Sequence, residues 1–219
     1  TRSYIDICSL RIESVCTLVH IPESLDGRMQ ITATTTRTSD SPAPNAEGAD
    51  IALSAAEFAA AFRQHPGGVA IVTADSALGP IALTVTSIVS VSADPPLFAF
   101  SIGHKASTAA GIRHASSYVV HFLGSEQLHL AKLCATSGVD RFADLTQWSR
   151  LPTGEPYFPA APVKIRGQRI NQLDTGSASL IVVLAQEAQI QDEYKSAPPL
   201  VYHDREWHAL TEHSQLVQT

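Results

Sequence analysis

The segment LTVTSIVSVSADPPLFAFSI, from Leu83 to Ile102, sets the tightest limits on the fold. Apolar and small hydroxyl residues alternate along it: Val85 with Thr86, Val89 with Ser90, Val91 with Ser92. A period of two marks a strand with two unlike faces. One face is aliphatic; the other carries short, uncharged donors and acceptors. Ser87 falls out of phase, which predicts a bend or bulge. Asp94-Pro95-Pro96 closes the run, because the residue before a proline is pushed out of helical geometry. Leu97 to Ile102 then resumes as a strand. The hydroxyl face reads either as the solvent side of an edge strand or as a ledge that holds a ligand.

The remaining pattern is of the same kind. Short strands are expected at 69–73, 117–123, 163–172, 178–190 and 199–204, the last resuming at 206–210. Asp75 to Pro80 reads as a turn. Helices are few. Ser54-Ala55-Ala56-Glu57 is a capping box, with Phe58, Ala61 and Phe62 following at helical spacing before Pro66-Gly67-Gly68 stops the helix. A short helix is expected at 107–114. Another is capped by Ser125, carries Leu128, Leu130, Leu133 and Cys134, and ends at Gly138. Residues 140–162 read as irregular. Neither GxGxxG nor GxxxxGK[ST] occurs, and strands do not alternate with helices, which argues against dinucleotide-binding α/β and P-loop folds. Six or seven short strands favour a mainly β architecture, a closed or partly closed antiparallel barrel.

Composition narrows the classes further. The 219 residues are 44% hydrophobic, enough for one sizeable domain with a packed core. A formal charge of −6 with no basic run argues against nucleic acid as a partner. No apolar run approaches the ~20 residues that span a bilayer. The nine histidines form neither HxH nor HExxH, and CxxC is absent, so no metal site is expected. Cys8, Cys16 and Cys134 are odd in number and scattered, which fits a reducing cytosol. Residues 1–49 are expected to be disordered or foreign to the fold, with Met29 as the native start. The domain is expected over 50–212, with a flexible tail at 213–219.

The order GVAIVTAD, GPIALTVTSIVSVSADPPLFAFSI, a Ser/Thr-containing helix start, and finally PPLVYHDREWHAL resembles the flavin reductase-like family over about residues 54–210. The most specific part is TVTSIVSVSADPP. The resemblance implies a split β-barrel binding FMN or FAD, and hydride transfer from NADH or NADPH. It further implies a homodimer and a monooxygenase partner for the reduced flavin. On this resemblance Thr84, Val85, Thr86 and Ser87 contact the flavin ring, with Ser90 and Ser101 along the same ledge. Lys105, Ser107 and Thr108 would meet the phosphate at a helix start. Tyr202 and Arg205 are candidates for the nicotinamide side, although Tyr202 reads equally as barrel packing. Phe142 is a candidate lid or barrel plug. Asp94 is expected to shape its turn. Two departures stand out. Where the family often has Gly-Asp-His, this chain has Asp174-Thr-Gly176-Ser177-Ala178-Ser179. His121 stands where Asn is common, and reads as a flavin contact or as a hydrogen-bonded structural histidine. The first departure leaves open a flavin-binding electron carrier without efficient nicotinamide turnover. A split-barrel relative holding haem or a deazaflavin is a third possibility.

Overall fold

The structure is a computed structural model that describes residues 53–77, 79–191 and 197–216. The expectations for residues 1–49 and for a start at Met29 lie outside the described residues. Two elements precede the main sheet: helix α1 (Ala55–Arg63) and the two-residue strand β1 (Gly67–Gly68). The strands that follow are β2 (Ala70–Ser76), β3 (Gly79–Val85), β4 (Val89–Ala93) and β5 (Pro96–Gly103). After helix α2 (Ala109–His114) come β6 (Ser117–Phe122) and helix α3 (Leu128–Ala135). A small hairpin, β7 (Ser149–Arg150) with β8 (Pro156–Tyr157), leads into the long strands β9 (Val163–Asp174) and β10 (Ala178–Ile190). The chain closes with β11 (Leu200–His203) and β12 (Glu206–Ala209).

Seven strands form one antiparallel sheet in the order β3-β2-β6-β9-β10-β5-β4. Its two outermost strands, β3 and β4, are neighbours in sequence, separated only by residues 86–88. Val85 to Val89 can span at most about 14 Å of extended chain. In a flat sheet of seven strands the edges would stand about 29 Å apart. The sheet therefore curls until its edges meet, and the result is a barrel. At the seam, Ser87 Oγ donates to the Ser101 carbonyl at 3.1 Å and accepts from the Ser101 N–H at 3.0 Å. The alternating run of the sequence is thus two strands on opposite edges, and the out-of-phase Ser87 is the crossing point. Register shifts at Val182/Val183 and Ala185/Glu187 in the β9–β10 ladder help the long strands bend round the barrel.

Other expectations shift at their ends. The turn at Asp75 to Pro80 is tighter than the sequence suggests: β2 runs to Ser76, and β3 starts at Gly79, whose φ of +108 suits only glycine. The helix near Ser125 opens as a 3-10 turn, Ser125–Gln127, before α3. Residues 140–162 hold the β7–β8 hairpin.

Strand β2 is covered on both faces, which is why its sequence reads as an unbroken apolar run. Ala70, Val72 and Ala74 face the barrel interior with Phe100, Tyr118, Val120, Ile181 and Val183. Val69 and Ile71 face a second core with Leu130, Phe142 and Phe158. Each such buried aliphatic or aromatic side chain contributes about 1.5–3 kcal/mol relative to exposure. The Tyr118 Oη lies 2.8 Å from the Ile112 carbonyl and 2.9 Å from that of Ala115, pinning the end of α2 to the barrel. Burial pushes this phenol up to about 12. Helix α1 has its predicted capping box: the Glu57 N–H donates to Ser54 Oγ at 3.2 Å, and the Ser54 N–H to Glu57 Oε2 at 3.0 Å. Its apolar face is uncovered, with Phe58 53% and Phe62 59% exposed.

Close strand packing gives the first prediction. A Cβ on Gly167 would meet the Leu184 carbonyl oxygen and Val183 Cγ1 at 2.6 Å each. Backbone of a paired strand cannot step aside, so Gly167→Ala destabilises the fold by about 1–3 kcal/mol. A Cβ on Gly68 meets nothing within 4 Å, so Gly68→Ala stays within about 0.5 kcal/mol of wild type. Urea unfolding of both variants measures the difference.

Candidate functional site

The crossing between β3 and β4 does more than close the barrel. With the end of β5 and the turn after it, it walls a cavity of about 380 Å³, lined by Leu83 to Ser87, Ser101 to Gly103, Lys105 and Ala106. That volume lies within the range of small-molecule sites, about 300–1,000 Å³. Six residues expected from the sequence meet here: Thr84, Val85, Thr86, Ser87, Ser101 and Lys105. Their hydroxyls are not equivalent. Thr84 Oγ1 donates to the Ala131 carbonyl at 2.7 Å and ties α3 to β3. Ser87 is committed to the seam. Thr86 is exposed in the cavity. Gly67 lies against it, and an added Cβ there would stand 2.9 Å from Thr86 Cβ.

Lys105 supplies the charge. The two ion pairs among the described residues are Arg150–Asp75 and Arg166–Glu155, and Lys105 joins neither. Ser107 and Thr108 follow it on the approach to α2. That helix has six residues, and its N-cap Thr108 makes no side-chain capping bond. A helix this short offers little dipole, so the anion-binding start expected there reduces to Lys105 and nearby hydroxyls.

The other expected residues lie apart from this cavity. Ser90 lines a separate, largely apolar cavity of about 290 Å³ with Ser92, Phe98 and Phe122. His121 points into the outer core and is fully buried. Its Nδ1–H donates to the Ile71 carbonyl at 3.1 Å, and its Nε2 accepts from the Phe158 N–H at 3.1 Å. Both ring nitrogens are thereby used, which is the structural reading of the two. Phe142 is 8% exposed and packs at 5.0 Å from the Trp148 ring and 5.8 Å from Phe158. It plugs the outer core. Tyr202 pairs with Gly67 across β1–β11 and meets Trp207 at 4.8 Å. Arg205 sits at the β11–β12 turn with a φ of +67, exposed.

A fold closed by a hydroxyl-bearing crossing, with a cavity at its seam, now has known counterparts. The family model for the flavin reductase like domain matches residues 62–211. The chain belongs to this family. It is 38% identical over 160 residues to an NADH:FMN oxidoreductase of Rhodococcus erythropolis, covering 73% of this chain and 83% of that one. It is 31% identical over 137 residues to the reductase component of a 4-nitrophenol 4-monooxygenase/4-nitrocatechol 2-monooxygenase of Rhodococcus opacus, covering 63% and 73%. Among solved structures, a flavin reductase domain protein from Arthrobacter sp. FB24 superposes with a TM-score of 0.67 at 28% identity, covering 71% of this chain and 95% of that one.

Beside the cavity the structure also joins two residues, His104 and Ser179, to which sequence reading assigned no binding role. His104 lies between the cavity-lining Gly103 and Lys105 and reaches Ser179, 75 positions away, at 2.9 Å. Only the β5–β10 register, which sets Ile102 opposite Ser179, brings them together.

The buried His121 yields a pH prediction. Burial lowers its pKa to about 4 from 6.5, with the nearby Lys164 charge adding to the shift and the Ile71 hydrogen bond opposing it. The unfolded chain therefore binds more protons than the folded one between these values, and stability falls as pH drops from 6.5 towards 4. Between pH 7 and pH 5 the wild type should lose about 2 kcal/mol more than His121→Gln, which cannot titrate. Urea unfolding at the two pH values measures this; equal losses would refute it.

Proposed function

We propose that this protein is a flavin reductase that transfers hydride from NADH to FMN and passes the reduced flavin to a monooxygenase component. The observation that carries the reading is the cavity itself. An uncharged hydroxyl-and-backbone ledge at 84–87 faces a turn bearing a lysine without an ion-pair partner. That chemistry fits a flat heterocycle with a polar edge and a phosphate tail. Thr86 and backbone N–H groups would meet the ring edge. Ser101 would lie alongside. Lys105, with Ser107 and Thr108, would meet the phosphate. Bound flavin would supply the hydride acceptor; the protein's part is to bind, orient and exclude water. The sister enzymes from Rhodococcus, named for NADH, FMN and a monooxygenase, support the donor, the acceptor and the partner class.

A further part of the reading rests on another feature. The uncovered Phe58 and Phe62 of α1, beside Leu53 at 66% exposure, support a homodimer that buries this face. Cys134, the free cysteine among the described residues, is buried, and burial pushes its thiol up to about 12.

The test is anaerobic NADH and NADPH oxidation with added FMN or FAD, followed by flavin absorbance. Saturable bleaching, fastest with NADH and FMN, is expected. Tight flavin binding without bleaching would instead identify an electron carrier and point to the replaced Gly-Asp-His. A Soret band in the purified protein would reject flavin altogether. Lys105→Ala should raise the FMN dissociation constant about tenfold, the scale of one lost charge-assisted contact. For the assembly, light scattering on Phe58→Ser/Phe62→Ser should report a monomer where the wild type is a dimer.

A further inference from the structure

A side-chain hydrogen-bond chain, Asp174–Ser179–His104, runs beside the cavity from an exposed carboxylate through a buried serine to a half-buried histidine. The Ser179 hydroxyl lies 2.5 Å from Asp174 Oδ1, and His104 Nε2 lies 2.9 Å from Ser179 Oγ. Ser179 itself is fully buried. Proton positions in this chain follow from charge. Hydrogen bonds from Ser179 and Gln172 hold the Asp174 carboxyl below the usual carboxylate range, so at neutral pH it only accepts. Ser179 must then donate its single hydrogen to Asp174. Its oxygen is left as the acceptor, and His104 must carry a proton on Nε2.

The three residues come from separate places. Asp174 ends β9, Ser179 lies near the start of β10, and His104 follows β5. The main chain reinforces the link, because the His104 N–H donates to the Ser177 carbonyl at 2.9 Å. His104 is thus held twice, by side chain and by backbone, to the β9–β10 hairpin. It sits in the turn at 103–106, closed by the Ala106 N–H donating to the Gly103 carbonyl at 3.1 Å. The other three residues of that turn, Gly103, Lys105 and Ala106, all line the cavity.

We propose that His104 is a positioning residue: through Ser179 and Asp174 it fixes the 103–106 turn so that Lys105 is set for the ligand's phosphate. This rests on the reading of the cavity as a flavin site. Asp174, Ser179 and His104 do not touch the ring in this scheme. Their effect is exerted on the phosphate end and grows with the charge held there. The chain does not have the order of a hydrolytic triad, because the serine hydrogen goes to the carboxylate and not to the imidazole.

Binding of FMN and of riboflavin, which lacks the phosphate, separates this role from general support of the fold. The probe is flavin fluorescence quenching by the full-length protein without nicotinamide. His104→Ala and Ser179→Ala should each weaken FMN binding about tenfold while changing riboflavin affinity less than about twofold. His104→Gln, whose amide N–H can replace Nε2–H as donor to Ser179, should recover most of the loss. The double variant His104→Ala/Ser179→Ala should be no weaker than either single one, as expected for members of one chain. Equal losses for FMN and riboflavin, or full additivity, would overturn the proposal. Should His104→Ala fail to fold, Ser179→Ala and His104→Gln carry the same test. Lys105→Ala guards the underlying reading. If it leaves FMN binding unchanged, the cavity is not the phosphate site. If it weakens FMN while His104→Ala and Ser179→Ala do not, the site stands and the positioning role falls.

Discussion

Three residues decide the architecture. A chain that must place consecutive strands on opposite edges of a seven-stranded sheet, with only residues 86–88 between them, has no flat solution. Curling brings the end of β3 against the end of β5, and the two ends make the walls of the larger cavity. No ladder joins β3 to β4, so the Ser87–Ser101 hydrogen bonds hold the seam where strand pairing would otherwise close it. The cavity is therefore a by-product of the topology, furnished by whichever side chains stand at the seam.

The residues at the seam divide the labour. Thr84 is bonded to α3 and Ser87 to β5, so two of the three hydroxyls at 84–87 serve the scaffold. Thr86 stands between them, pressed against Gly67 and open to the cavity. A ledge held rigid on both sides of its one open member is well suited to orienting a planar ligand, since little conformational entropy is lost on binding. The outer core supports the arrangement from behind. Thr73 Oγ1 donates to the Pro156 carbonyl at 2.5 Å, and the buried Arg166–Glu155 pair at 2.9 Å adds a second tie near β8.

Much of this was legible before any coordinates. Alternation marked the strands and the capping box marked α1; the phase error at Ser87 was legible only as a bend within one strand, where the structure has a crossing between two. The hydroxyls at 84–87 and Lys105 come together because they lie close in sequence to the crossing and to the end of β5. What sequence could not carry was register. Ser90 is five residues from Val85 yet faces a different cavity, because the crossing puts it on the far edge. His121 looked available for a ligand, but strand alternation turns it into the outer core, where the Ile71 carbonyl and the Phe158 N–H occupy its ring. Phe142 lies in a loop, and its burial depends on Phe158 and Trp148, residues no local pattern connects to it. The His104–Ser179 contact spans 75 positions and exists only through the β5–β10 pairing.

The union of seam and cavity couples two equilibria that are usually separate. The side chains that hold β3 to β5 are neighbours of any molecule resting on the ledge. Opening the barrel would strip that molecule of its site, so its binding free energy is added to the cost of opening. At a concentration a hundred times its dissociation constant, a ligand adds about 2.7 kcal/mol by mass action alone. Against the 5–15 kcal/mol or so that holds a typical domain folded, that is a substantial share. Cellular supply of the ligand would then set how long the barrel survives, and a protein starved of it would be the form first exposed to proteolysis.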